Sequence, residues 1–277
     1  MGAGIWAAAG AKGLWQGALG GPWRRADSPP MPIRLAQGAG RVVGACAGGE
    51  VFDVQGKDLL DCPGVEAMAL SPDGSYLYLL SAETDSVLCC RADTGEMLFL
   101  NRAGAYPRDM RLDTAGRLMA VAGGAAGEVM VFSAPDLKLI RRFAVPGIAY
   151  QAAFMPGGLA VMLAAEDGQV FTLLGEIRDR RGSFQELARL PGLPGALCPC
   201  ADGTLAAGTL EHLIRLRWQP FKVLWQYQRT GLPGHLCEHP RGLLLSDSLM
   251  GRALLVTGPG REQTIFEAED IFAQWQV

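Results

Sequence analysis

Met68-Ala-Leu-Ser-Pro-Asp-Gly74-Ser-Tyr-Leu-Tyr-Leu79 and Met110-Arg-Leu-Asp-Thr-Ala-Gly116-Arg-Leu-Met-Ala-Val121 follow one plan: a short apolar run, a turn closed by glycine, and a second apolar run. Weaker copies stand at Phe154-Met-Pro-Gly-Gly158-Leu-Ala-Val-Met162, Cys200-Ala-Asp-Gly203-Thr-Leu-Ala-Ala207 and His239-Pro-Arg-Gly242-Leu-Leu-Leu245. The turn glycines are 42, 42, 45 and 39 residues apart, the regular self-similarity of a repeat architecture. Glycine here lets two strands reverse with positive φ at no steric cost, and the Asp or Pro before it adds turn chemistry. The second copy predicts four strands, Arg108–Leu112, Leu118–Ala122, Glu128–Phe132 and Lys138–Phe143. The links are Ala-Gly, a glycine-rich loop around Gly124, and Ser133-Ala-Pro-Asp136. Short apolar runs bounded by Gly, Pro or Asp are the strand pattern, and no segment has a sustained 3.6-residue period.

Two earlier copies open at Gly38-Ala-Gly40-Arg-Val-Val-Gly44 and at Gly2-Ala-Gly4-Ile-Trp-Ala-Ala-Ala9. The second lacks a preceding strand, while Asp270-Ile-Phe-Ala-Gln-Trp-Gln-Val277 alternates like a strand without a partner. Ring closure resolves both: the last strand is expected as the innermost strand of the blade whose other three come from residues 3–26. The expectation is an all-β, seven-bladed propeller forming one domain over residues 1–277. Six blades is the alternative, if the N-terminal segment stays outside the ring. Closure removes the sheet edges that an open array exposes.

The 277 residues are 49% hydrophobic and 19% charged, enough for a large core and too apolar for disorder. A net charge of -3 argues against a nucleic-acid partner. No unbroken run of 18 apolar residues occurs, so no membrane span is expected. The apolar start has no positive residue before it and is interrupted at Lys12, so it reads as strand and not as a leader. Seven cysteines fall into no stapled framework and no targeting signal is found, so a reduced, cytoplasmic setting is expected. The chain is expected to be a monomer.

Gly104-Ala-Tyr-Pro-Arg-Asp-Met-Arg-Leu-Asp-Thr-Ala-Gly-Arg-Leu-Met-Ala-Val121 resembles the bacterial YVTN-type, or YncE-like, propeller repeat. So does Ser71-Pro-Asp-Gly-Ser-Tyr-Leu-Tyr-Leu79 with the following Asp85-Ser-Val-Leu and Asp93-Thr-Gly-Glu. The match covers about residues 64–143. The resemblance implies the fold more than a role, since the group includes binding proteins and lactonase-like hydrolases. No motif of an active member is present, and the Trp-Asp ending of true WD40 blades is absent.

His235-Leu-Cys237-Glu-His239 is the best metal candidate, because alternate residues of a strand share a face and imidazole with thiolate suits zinc. A rigid strand spreads such neighbours roughly 6.5 Å apart, which strains joint ligation. His239 also aligns with the turn. No metal or other cofactor is therefore assigned. Cys198-Pro-Cys200 and Cys89-Cys90 read as small buried strand residues, without the helix N-terminus that activates thiols. Gly123-Gly124-Ala-Ala-Gly127 is a hairpin loop with no helix after it to bind phosphate.

The starts of the inner strands bring Glu66, Arg108, Asp109, Tyr150, Gln151 and His235 toward the channel, the usual concave binding place of such a ring. Their mixed charge can grip a protein or small-molecule partner, or pair internally and hold the ring. Trp6, Trp15, Trp23 and Trp275 are expected to pack the closing blade. No Gly-X-Ser-X-Gly elbow or Ser/His/Asp set is present, and a single asparagine makes a lactonase metal set hard to assemble. A non-enzymatic binding propeller leads, with a metal-dependent hydrolase and an assembly module as alternatives.

Overall fold

The computed structural model describes residues 5–8, 10–166, 170–178 and 182–267. Its strands form seven antiparallel sheets, each a meander of consecutive strands, and the one helical element among the described residues is a 3-10 turn at Gly10–Lys12. Numbered in chain order, blade one holds Ile5–Ala8, Leu14–Gly17 and Arg24–Ala26. Blades two to seven are four-stranded and span 32–61, 65–102, 109–144, 148–191, 194–228 and 233–267. Their first strands are the inner ones: Pro32–Gly38, Val65–Leu70, Asp109–Leu112, Ile148–Met155, Pro194–Pro199 and Pro233–His239 pack each against the next around a channel.

Blade one closes the ring. Ile5 and Ala7 bury against Leu244, Ala253 and Leu255 of blade seven, and Ala8 and Leu14 bury against Leu35, Val42 and Phe52 of blade two. The fold is therefore a seven-bladed β-propeller, and the six-bladed alternative is overturned. The expected closing strand at 270–277 lies outside the described residues. Trp15 and Trp23 pack on Phe266 of blade seven with ring centroids 5.5 and 4.6 Å away, and Trp6 joins the cluster shared with blade two. Trp275 lies outside the described residues.

Burial on both faces explains the apolar middle strands. In Leu118–Ala122, Met119 and Val121 pack toward Tyr78 and Leu80 of blade three. Leu118, Ala120 and Ala122 pack toward Leu159, Val161 and Leu163 of blade five. The period of two thus feeds two interblade cores at once, each fully buried large side chain contributing about 1.5–3 kcal/mol of transfer free energy. The outermost strand Leu139–Ala144 buries only Phe143 and faces solvent otherwise.

The four strands expected in blade four appear at Asp109–Leu112, Leu118–Ala122, Glu128–Ser133 and Leu139–Ala144. Gly74 and Gly116 have φ of 73° and 65°, as their turns require. Blade five differs by one residue, since positive φ falls on Gly157 (79°). Gly158 is glycine for another reason: a Cβ there would sit 2.7 Å from the Ile177 carbonyl oxygen. The wide step in this blade comes from strands of eight or nine residues.

Candidate functional site

Every inner strand of blades two to seven begins at the same mouth of the channel. That common polarity gathers Glu66, Arg108, Asp109, Tyr150, Gln151 and His235 around one cavity of about 330 Å³, with Arg34 and Arg111 beside them. The rest of the wall is mostly apolar, chiefly Leu193, Pro194, Leu232 and Pro233, with Ser248 among them.

The polar groups divide into two kinds. Some are spent on the ring. Arg34 donates through Nη2 to the Glu66 carboxylate at 3.2 Å and through Nε to its carbonyl at 2.6 Å. Buried Asp109 accepts from Arg111 Nε at 3.1 Å. Gln151 accepts the Leu197 N–H and so ties blade five to blade six. Arg108 and Tyr150 are the other kind. The exposed Arg108 guanidinium lies over the Tyr150 ring, 5.6 Å from its centroid, and meets no carboxylate among the described residues.

His235 and Arg111 sit at the waist, since both also line the cavity at the far end of the channel. Burial, with Arg111 and Arg34 nearby, pushes the His235 imidazole down to about 3, so it is neutral. A histidine whose folded pKa lies below its unfolded value stabilises the fold above pH 6.5 and loses that contribution as pH falls toward 3. Stability measured by urea unfolding through that window should therefore fall less steeply in His235→Gln than in the parent chain. An unchanged slope would remove His235 as the cause.

The His235, Cys237 and His239 trio does not converge. Burial pushes the Cys237 thiol up to about 12. His239 lies at the far-end turn and accepts the Arg241 N–H at 3.1 Å through Nδ1. Among the described residues the metal-like grouping is instead Cys200, Asp202 and Glu238, whose donor atoms lie within 4.8 Å of one another. Its carboxylates are occupied: Asp202 accepts from Thr204 Oγ1 at 2.6 Å and Arg215 at 2.9 Å, and Glu238 from the Ala201 N–H at 2.7 Å. All seven cysteines are free thiols, six of them buried. Burial pushes Cys89 and Cys90 up to about 12 and 11, which suits packing and not nucleophilic chemistry.

A ring of exposed apolar side chains surrounds the mouth. Met31, Tyr106 and Leu193 lie just before inner strands and Ile148 begins one. Leu249 and Met250 follow Gly242–Asp247, which runs back toward the same mouth.

No family model and no curated protein matches the sequence. Among solved structures the chain is similar to one from Kuenenia stuttgartiensis hydrazine synthase, at 14% identity and a TM-score of 0.52, covering 84% of this chain and 97% of that one. A likeness at that identity speaks for the propeller fold alone. No helix among the described residues is long and apolar enough to cross a membrane.

Proposed function

We propose that this propeller is a non-enzymatic binding module that seats a partner protein on the mouth of its channel. One observation carries the reading: six exposed large apolar side chains, five on loops and Ile148 at the start of a strand, lie on the face that holds the polar cavity. An apolar rim around a charged centre is the plan of a protein-docking surface. The hydrolase alternative is weaker, because Glu66 and Asp109, the carboxylates it would use, are each neutralised by an arginine. The repeat residues support kinship with the YVTN-type propellers, and seven free cysteines support a reducing, cytoplasmic setting.

Tyr106→Asp and Leu249→Asp, made together, place two charges on the rim without touching the core. In affinity capture followed by cross-linking mass spectrometry, the parent chain should cross-link partners through mouth loops and the double variant should lose them. Val223→Asp, on the outer strand Lys222–Gln228, should keep them. Capture that survives the rim charges, or cross-links confined to the perimeter, would overturn the reading.

A further inference from the structure

We propose that the channel mouth is a carboxylate receptor: the acid group is held between Arg111 at the waist and Arg108 at the rim, and the apolar body attached to it lies on Tyr150, Leu193, Leu232 and Pro233. This rests on the channel-face reading above and names the chemistry which that face selects.

Arg111 is the centre of the case. It lines the mouth cavity, the far-end cavity and a third space walled by the inner-strand residues Ala67–Leu70 and Asp109–Leu112, so its guanidinium stands in the channel itself. Nε is engaged by Asp109, while neither Nη group has a hydrogen-bond partner among the described residues. Arg34 offers a contrast, with Nε, Nη1 and Nη2 all bonded to Glu66 or to the Ile33 carbonyl. The paired Nη donors of a guanidinium form a planar fork that fits the two oxygens of a carboxylate.

Charge favours the same ligand. The described lining residues carry three arginines, Arg34, Arg108 and Arg111, against two carboxylates, Glu66 and Asp109, with His235 neutral; 3 − 2 leaves one positive charge. Because Arg34 and Arg111 each hold a carboxylate, the surplus belongs to Arg108. Placed at the rim, that surplus charge draws an anion toward the mouth. Carboxylate alone would leave Leu193, Pro194, Leu232 and Pro233 uncovered, so an acid bearing an aromatic or branched apolar group fits better. Volume agrees: about 330 Å³ is at the small end of ligand cavities and matches one such group. The acid can come free, or as the carboxylate-ended terminus of a partner protein.

Calorimetric titration of the parent chain with 3-phenylpropionate tests this, with 3-phenylpropionamide as the uncharged match. The acid should saturate a single site and the amide should not. Arg108→Gln and Arg111→Gln should each weaken the acid by about tenfold or more, the worth of a charge-assisted hydrogen bond. Arg91→Gln, on an exposed outer pair with Glu96, should leave affinity unchanged. Arg108 is exposed and its loss leaves the fold intact, so its variant decides the matter even if Arg111→Gln does not fold. No saturable binding, equal binding of acid and amide, or indifference to Arg108→Gln would each overturn the proposal. A short peptide ending in Leu-Phe, as acid and as amide, separates the sources: tighter binding of the peptide acid than of 3-phenylpropionate assigns the seat to a partner's terminus, and equal or weaker binding assigns it to a free acid. If the acid fails while rim charges still abolish capture, the carboxylate proposal falls and the docking face stands. If the acid binds while rim charges leave capture intact, the docking face falls and a small-acid receptor stands.

Discussion

Asp247→Ala will lower the unfolding free energy by about 1.5–3 kcal/mol, the worth of a buried hydrogen bond between charged groups, because Arg229 keeps the Glu262 carboxylate. Asp247 ends the second strand of blade seven and is completely buried. Its Oδ2 accepts from Arg229 Nη2 at 2.8 Å, and Arg229 is itself buried, 3% exposed at the side chain. Arg229 donates further to the Gly231 carbonyl and to Glu262, which also accepts the Tyr227 hydroxyl at 2.7 Å. Tyr227 and Arg229 come from the end of blade six and Asp247 and Glu262 from blade seven, so the network latches two blades together. Gly231 shows how tightly it is fitted, since a Cβ there would lie 2.0 Å from Asp247 Oδ2. Glu96→Ala, which breaks the exposed pair with Arg91, should cost no more than about 1 kcal/mol. The double change Asp247→Leu with Arg229→Met should cost less than the sum of the two single changes, because each single change already removes their shared hydrogen bond, although Arg229 keeps Glu262 and Asp247 keeps Arg252. Urea midpoints for Asp247→Ala, Glu96→Ala, Asp247→Leu, Arg229→Met and the double variant decide it. Equal losses for Asp247→Ala and Glu96→Ala would mean that the latch carries no special weight.

The same contrast between local and long-range information marks what the sequence revealed. Gly74 and Gly116 announced their turns because the conformation is written in the residue that adopts it. Gly158 misled by one position because two glycines adjoin, and only the packing against Ile177 tells which serves the turn and which the close approach. Six mouth residues were legible because repeat alignment gives the start of each inner strand. Arg111 was missed although the signal existed: two residues beyond Asp109 on one strand, it shares that residue's face. Arg34 was harder, since blade two has only a faint Gly38-Ala-Gly40 turn to align. Which carboxylate meets which arginine across blades could not be read at all. Glu66 and Arg34 are 32 residues apart on neighbouring blades, and the ring's geometry alone brings them together. The far-end cluster of Cys200, Asp202 and Glu238 joins a turn of blade six to an inner strand of blade seven in the same way.

Ring closure makes a quantitative demand on two adjacent leucines. Leu254 and Leu255 stand side by side in Arg252–Gly258 and therefore point to opposite faces of blade seven. Leu254 packs with Leu236 and Leu245 in the core shared with blade six, and Leu255 packs with Ile5 and Ala7 of blade one. Each is essentially inaccessible, 1% and 0% exposed. Leu254→Ala and Leu255→Ala should therefore cost about the same, each within about 2–5 kcal/mol for a large-to-small change in a filled core. The two faces differ in what an open ring would do to them. Without blade one, Leu255 would lie on a solvent-facing sheet and its truncation would cost little, while Leu254 would keep its full penalty. Thermal or urea unfolding of the pair thus counts blades: equal penalties require a seventh sheet beyond Leu255, and a penalty confined to Leu254 would leave blade seven as an open edge. Removing residues 1–26 should then erase the Leu255→Ala penalty and leave the Leu254→Ala penalty standing, because only the first depends on the blade that closes the ring.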